Sequence, residues 1–392
     1  MIRKISAHYI FPADAPPLKR GIVIINEKGE IADLIDTGGA LPEISNLEFY
    51  DGIITPGFIN AHTHLELSNL KGQIPQKTGL INFLKNVGEL RNLDTSLTIM
   101  DYADSEMQQY GIVAAGDISN TSFSFSTKTK SKIKYFTFIE ILGIKDSIAS
   151  ERFSNAKKLW QELQSLSLPS SIAPHAPYSL SDSLWKILLD FSKTHNLIWT
   201  IHNQENINEN RLFVNKTGDF VEFLNNLSDE FSKWQPKGVS SLKYCRAFYE
   251  QISKVLLVHN TFTDTEDLEL ISHLKNTIFF VLCPNANLYI EDCLPNIEQL
   301  RNTGHRIALG TDSLASNTKL SILEEMKTIQ QHFPQISLQE LIDWATINGA
   351  TALGFDDQLG SLKKGKTPGL NLITKIDFQK MALTSQSQVK VL

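Results

Sequence analysis

A chain of 392 residues that is 42% hydrophobic and 20% charged can bury a full core, which excludes a disordered or fibrous protein. Its 37 Lys and Arg against 43 Asp and Glu leave a net charge of -6, and no basic run is dense enough to track a phosphate backbone, so polymeric nucleic acid is excluded as a partner. No apolar stretch has the length to cross a bilayer, and Met1-Ile2-Arg3-Lys4 leads into alternating apolar residues instead of a signal core, so a membrane partner is excluded and the expected location is the cytoplasm.

From Ile5 to Ile35 short β-type segments recur, and Gly21-Ile22-Val23-Ile24-Ile25 followed by the turn Glu27-Lys28-Gly29-Glu30 predicts a hairpin. Between this β module and the far end of the chain, short apolar strands alternate with amphipathic helical stretches. The strands are expected at 57–61, 111–115, 135–139, 171–174, 197–201, 255–258, 277–282 and 306–309. This alternation predicts a parallel sheet with crossover helices, and eight such units in about 250 residues have the size of a (β/α)8 TIM barrel. Residues 206–250 exceed what one loop and helix need and predict a lid or pocket wall, although aromatics such as Phe213, Phe220, Phe223 and Trp234 also suit core packing. Lys128, Lys130, Lys132 and Lys134, interleaved with Ser and Thr, read as a solvated loop. After a turn-rich stretch at 360–369, strands at 370–373 and 389–392 are expected to complete the first β module. Cys245, Cys283 and Cys293 are odd in number and lack CxxC spacing, so reduced, buried thiols are expected and neither a disulfide frame nor a thiolate metal site.

The chemistry-bearing residues gather at predicted strand ends. His62 and His64 follow Pro56-Gly57-Phe58-Ile59, and residues two apart on a strand project to one face, so two imidazoles converge. His202, His259 and Asp312 follow three further strands, and His175 lies just past another in Ala173-Pro174-His175-Ala176-Pro177-Tyr178. In a closed barrel all strand carboxyl ends meet at one rim, which brings these residues together. By contrast, His8, His195, His273, His305 and His332 lie away from strand ends and read as structural or exposed.

The motifs Pro56-Gly57-Phe58-Ile59-Asn60-Ala61-His62-Thr63-His64, His202-Asn203-Gln204-Glu205, Val258-His259-Asn260, Cys283-Pro284-Asn285-Ala286-Asn287 and Leu309-Gly310-Thr311-Asp312-Ser313 resemble those of an amidohydrolase-superfamily deaminase. The similarity is to the group that contains cytosine, guanine, S-adenosylhomocysteine and aminodeoxyfutalosine deaminases and the s-triazine chlorohydrolases. It implies a metal-dependent hydrolase barrel at 55–358 and a small β-sandwich domain composed of 1–54 plus 359–392. It also implies one divalent metal ion held by His62, His64, His202 and Asp312, with Glu205 and His259 beside the water that the metal activates. Three imidazoles and a carboxylate suit Zn2+ first and Fe2+ as the alternative, and such an ion lowers the pKa of water from about 16 toward roughly 7. Glu205 would shuttle a proton to a ring nitrogen, Asp312 would take the proton of the water, and His259 would stabilise the tetrahedral intermediate. Two-metal relatives carry a Lys near the end of the fourth strand, and Leu168-Pro169-Ser170-Ser171-Ile172-Ala173-Pro174 has none, so a single ion is expected.

The resemblance of His175 and Tyr178 to a His-x-Pro-Tyr element implies contact with a nucleoside and favours an aminopurine or adenosine-type substrate. Glu66, two residues past His64, is similar to an acid of aminodeoxyfutalosine deaminases and is the third expected substrate contact; an exposed loop acid is the other reading. Glu140, on an apolar strand, is either a ligand contact or a polar core pairing. The alternatives are a guanine or cytosine deaminase, a triazine chlorohydrolase and, from a different class, a non-catalytic scaffold. The expected partner is a small molecule, and a homodimer is compatible with the sequence.

Overall fold

The computed structural model describes residues 2–91, 97–275 and 277–392, so Met1, part of the amino-terminal reading, lies outside the described residues. The amino-terminal strands are β1 (Arg3–Ile10), β2 (Leu18–Lys19), β3 (Ile22–Ile25), β4 (Ile31–Ile35) and β5 (Leu47–Pro56). The central strands are β6 (Phe58–Thr63), β7 (Ile112–Ser119), β8 (Lys134–Ile141), β9 (Ser170–Pro174), β10 (Trp199–Asn203), β11 (Val255–His259), β12 (Ile278–Leu282) and β13 (Arg306–Leu309). Last come β14 (Leu370–Thr374) and β15 (Gln388–Val391). Each central strand overlaps its expected position, and β10 runs two residues further than predicted, which puts His202 inside the strand.

The central strands form two four-stranded parallel sheets, β6-β7-β8-β9 and β10-β11-β12-β13. Their side chains are buried on both faces, as crossover helices require. Leu256, Val258, Phe279 and Val281 share one core with Ile59, Ala114 and Phe138. The alternate residues Val255, Leu257, Ile278 and Phe280 pack into a second core with helical residues such as Leu188, Ile271 and Leu341. The sheets are joined along two seams. His202 N–H donates to His175 O at 2.9 Å between β10 and the end of β9, while Thr311 N–H and Asp312 N–H donate to His62 O at 3.0 and 3.1 Å beside a single parallel bridge between Thr63 and Asp312.

Both chain ends meet in one seven-stranded sheet, of order β15-β14-β5-β1-β3-β4 with β2 paired to β1. The predicted hairpin is β3 with β4, antiparallel. All seven strands belong to this one hydrogen-bonded sheet, where a sandwich had suggested two; Ile5, Ala7, Val23, Ile54, Leu370 and Leu372, from four of the strands, share its small core.

Lys128 departs from the solvated reading. It lies in the helix Phe125–Lys130 with a fully buried side chain, its Nζ 2.6 Å from Asp117 Oδ2 on β7 and donating to Ser119 Oγ and Thr137 Oγ1. Cys245 and Cys283 are buried as expected, Cys293 is half-buried, and all three are free. Among the described residues, no helix is long and apolar enough to cross a membrane.

Only Gly57 separates β5 of the terminal sheet from β6. Its N–H donates to Pro368 O at 3.1 Å, and a Cβ there would sit 2.3 Å from Val113 Cγ1 and 2.7 Å from Pro368 O. The Gly57→Ala variant is therefore expected to lose about 1–3 kcal/mol by overpacking, read as a lower urea midpoint at unchanged m-value.

Candidate metal centre and catalytic cavity

The expected rim residues do converge. His62 is the penultimate residue of β6, and its Nε2 lies 3.1 Å from His64 Nε2, just past the strand. Asp312 Oδ1 is 3.4 Å from His64 Nε2 and 3.9 Å from His62 Nε2. The rings of His202 and His259 stand 5.0 and 6.0 Å from that of His62. His202 Nδ1 is 2.8 Å from His175 O, so Nδ1 carries the proton that this carbonyl accepts and Nε2 keeps its lone pair.

Burial sets the protonation of this cluster. Burial, reinforced by His64 and His202, pushes His62 well below the ordinary histidine range, and burial lowers His64 as well. His259 is lowered to about 3 and His175 to about 4, in both cases chiefly by burial. These rings are neutral near pH 7 and present lone pairs. Burial opposes the charge of Asp312, yet His64, His259 and a hydrogen bond from Ser316 Oγ hold its carboxyl below the usual range.

Glu205 faces the cluster from the loop after β10, with Oε1 3.6 Å from His259 Nε2. Burial, with the neighbouring charges of Asp312, Glu291 and Glu209, pushes its carboxyl well above the ordinary range, which favours the protonated form. His259 Nδ1 is 3.4 Å from Asn287 Nδ2, an amide donor, which leaves the ring proton on Nε2 toward Glu205. Several turns that deliver these groups lie in the left-handed region: φ is 45° at Gln204, 71° at His259, 56° at Asn260 and 54° at Asp312. Such backbone in non-glycine residues is sparsely populated and collects where function demands it.

His64, His202, Glu205, His259 and Asp312 line a cavity of about 660 Å³, and His175 and Tyr178 line it too. His175 Nδ1 is 3.0 Å from Ser179 Oγ, and the Tyr178 ring packs 4.4 Å from that of Phe220. The long β10–β11 connection gives the helices Ile207–Asn215, Asp219–Leu227 and Ser241–Tyr249. Phe213 and Phe220 of this segment are core residues, whereas Phe223 lines the cavity, so both expectations for its aromatics apply to different side chains.

Glu66 is not among the lining residues. Its carboxylate accepts from Asn120 N at 3.0 Å, from Thr121 N and from Thr121 Oγ1 at 2.8 Å. Glu140 does line the cavity; it accepts from Asn120 Nδ2 at 2.9 Å, with Oε1 3.8 Å from His202 Nδ1. Burial works against its charge, but His175, His202 and His64 hold it at about 2.

The Amidohydrolase family profile matches residues 53–390. The chain belongs to the amidohydrolase family. Among its amidohydrolase relatives, an adenosine deaminase of Helicobacter pylori is 27% identical over 360 residues, covering 90% of this chain and 86% of its own length. An aminodeoxyfutalosine deaminase of a Nitratiruptor species is 28% identical over 339 residues, covering 82% and 79%. The crystal structure of Helicobacter pylori aminofutalosine deaminase in complex with methylthio-coformycin matches with a TM-score of 0.82 at 25% identity, over 97% of this chain and 94% of that one. A zinc-bound adenosine deaminase from Xanthomonas campestris shares the fold, with a TM-score of 0.76 at 19% identity over 99% and 90% of the two chains.

Sequence reasoning missed the groups that hold this amidohydrolase site in place. Asp117 Oδ1 accepts from Leu65 N at 2.7 Å and so fixes the turn after His64, with Lys128 as the counter-charge. Glu325 accepts from Asn285 N at 2.9 Å, Asn285 Nδ2 at 3.0 Å and Asn317 Nδ2 at 2.8 Å, tying the loops after β12 and β13 together. Its only sequence signal is an acid on the buried stripe of the helix Ile322–His332.

Burial pushes Glu325 up to about 8, from an ordinary glutamate value of 4.5. Between those two values the folded chain holds a proton that the unfolded chain releases, so raising the pH through this window weakens the fold. The Glu325→Gln variant is expected to lack this contribution. Urea titrations from pH 5 to about pH 8 should show the native protein losing stability relative to the variant, and parallel profiles would remove Glu325 as the source.

Proposed function

We propose that this chain is a metal-dependent hydrolytic deaminase that removes ammonia from an aminated heterocycle of the adenosine-type nucleoside class. The observation that carries the reading is a pair of buried donor groups that share His62, one with His64 and Asp312 and the other with His202 and His259, with Glu205 beside His259. Nearly full-length similarity to proteins named adenosine deaminase and aminodeoxyfutalosine deaminase supports the substrate class.

The donor set fits a divalent cation. Two ring nitrogens 3.1 Å apart with a carboxylate oxygen at 3.4 Å are neutral imidazoles beside an anion, and His62 Nδ1 is buried without a partner among the described residues. His62, His64, His202 and Asp312 would hold the ion, zinc in first place and Fe2+ as the alternative. When bound, such an ion lowers the pKa of water to around 7 and supplies a nucleophile at neutral pH.

The residues then divide the proton work. The water, its first proton already passed to Glu205, adds to the ring carbon that bears the amine, and Glu205 gives that proton to the adjacent ring nitrogen. Asp312 takes the remaining water proton and passes it to the amine, which leaves as ammonia; the next water reloads Glu205. His259, with its proton on Nε2, donates to the oxygen that becomes negative. His175 and Tyr178 contact the nucleoside from the wall. Glu140 is the lining acid available to it, because Glu66 is engaged by residues 120 and 121.

The same reading takes 55–358 as a closed (β/α)8 barrel and 1–54 with 359–392 as a composite β domain, supported by the contacts that link both seams of the two parallel sheets.

Glu205→Gln is expected to keep its metal, measured as metal per chain, while kcat for ammonia release from adenosine or 5′-methylthioadenosine falls by at least about 10²-fold, the scale of general acid–base assistance. Unchanged turnover would remove Glu205 from the mechanism. Exhaustive chelation should abolish ammonia release and lower the thermal midpoint, because an ion that binds only the folded state stabilises it; zinc should restore both. Full activity in metal-free protein would sink the reading.

A further inference from the structure

We infer that Glu291 is a positioning residue for the proton shuttle: through Asn206 it fixes where Glu205 stands, and the same carboxylate ties the shuttle to the helix Leu80–Leu90 in the cavity wall. This rests on the deaminase reading and adds to it a residue that lies outside the cavity lining.

Glu205 depends on support from its surroundings. Among the described residues no hydrogen bond holds its carboxyl, and His259 Nε2 stands 3.6 Å from its Oε1. Proton delivery to a ring nitrogen tolerates little error, since a misplacement of about 1 Å can cost on the order of 10²-fold in rate. The direction of the side chain is therefore set by its two neighbours in the chain. Gln204, in the left-handed region at φ 45°, donates from Nε2 to Asp267 Oδ2 and to Asn210 Oδ1 at 3.1 Å, and its carbonyl accepts from Phe262 N at 2.9 Å. Asn206, on the other side, is the N-cap of the helix Ile207–Asn215. Its Oδ1 accepts from Asn208 N at 2.8 Å and its carbonyl from Glu209 N at 3.0 Å, while its Nδ2 donates to Glu291 Oε1 at 2.8 Å. The first two bonds stay within one turn of chain. The third reaches a separate part of the fold.

Glu291 ends the helix Pro284–Glu291, which follows β12. Its Oε1 accepts a second bond, from Leu80 N at 2.6 Å. The helix that begins at Leu80 has Gly79 before it, at φ 79°, with no side chain to cap it, and its first turn carries no acid. Such a start leaves N–H groups without partners and favours an anion beside them; Glu291 supplies it from 211 residues away. Gly79 N–H donates to Ile290 O at 3.0 Å and Lys77 N–H to Tyr289 O at 2.6 Å, so the two segments meet along a seam. The far end of the wall helix is anchored as well, because Arg91 donates from Nη2 to Asn120 Oδ1 at 2.8 Å. Leu80, Phe83 and Val87 of this helix line the cavity. One carboxylate oxygen thus serves both the wall and the residue that follows Glu205, and a charged acceptor makes both bonds stronger than a neutral one would.

The test measures ammonia release from adenosine and 5′-methylthioadenosine on zinc-loaded protein. Asn206→Ser keeps a hydroxyl that can cap the helix Ile207–Asn215 but removes the amide that reaches Glu291. Its kcat should fall about tenfold or more while KM and metal per chain stay near their native values, the split left by an interaction that matters in the transition state. Glu291→Ala should lose kcat similarly and raise KM as well, because the wall helix loses its cap. The double variant should have a kcat no lower than Glu291→Ala, since both changes break one link. Glu291→Gln, which retains an acceptor oxygen, should recover most of the loss, and Asn206→Ser carries the test if Glu291→Ala does not fold. In a Glu205→Gln background there is no shuttle left to place, so Asn206→Ser should leave the residual kcat where it is, whereas a general structural defect would lower it again.

Hydrogen exchange reads the same link without turnover. In Glu291→Ala, peptides covering 80–84 and 204–210 should both exchange faster than in the native protein, and in Asn206→Ser the second alone should. Native kcat in Asn206→Ser, additive losses in the double variant, or a full further loss in the Glu205→Gln background would overturn the positioning role while leaving deamination intact. No ammonia from the native protein would overturn the deaminase reading and the shuttle with it, and exchange would still decide whether Glu291 holds both segments.

Discussion

The crowding of unprotonated nitrogen donors around one buried carboxylate is the constraint on which the rest of this structure depends. Taking His62, His64, His202, His259 and Asp312 out of water is unfavourable unless the rings stay neutral and the acid is surrounded by hydrogen-bond donors. Burial provides the first condition at His62, His64 and His259. Ser316, donating to the Asp312 carboxylate, serves the second, while the seam between His62 O and the N–H groups of Thr311 and Asp312 and the amide of Asn287 beside His259 hold the backbone and the ring in place. The left-handed turns at Gln204, His259, Asn260 and Asp312 belong to the same arrangement, because they bend the chain at the strand ends where these groups emerge.

The parts of the fold that were legible in the sequence are those written in local chemistry. Parallel strands buried on both faces are continuous apolar runs, and β11, Val255-Leu256-Leu257-Val258-His259, is recognisable as such without a partner. The clustered histidines and Asp312 were legible for a related reason: a histidine or aspartate that follows such a run sits at the rim. What stayed hidden depends on pairings between distant segments. Lys128 stands among Ser, Thr and other lysines and looks solvated, but its helix carries it back over β7 to Asp117, where the strand pairing puts Ser119 and Thr137 within reach. Glu66 and Glu140 are equivalent acids on paper. The turn at 120–121 distinguishes them, because it supplies three donors to Glu66 and only the Asn120 side chain to Glu140.

The terminal sheet bears on the catalytic part through one short passage. β5 ends at Pro56 and β6 begins at Phe58, so the strand that delivers His62 is continuous, apart from Gly57, with a strand held between β1 and β14. Asn371 of β14 adds a further tie, donating from Nδ2 to Gly111 O at 2.9 Å just before β7. The sheet made from both chain ends thus sets the approach of the first two strands of the parallel half.

Asn120 offers its carbonyl to Arg91 and its amino group to Glu140, so its amide has one workable orientation. Turning it over would set oxygen against carboxylate on one side and donor against donor on the other. The entrance of the cavity and the acid beside His202 are consequently read by the two ends of a single rigid plane. A change at Arg91 would therefore reach the acid beside His202 through this one amide, and with it the field felt by the imidazoles.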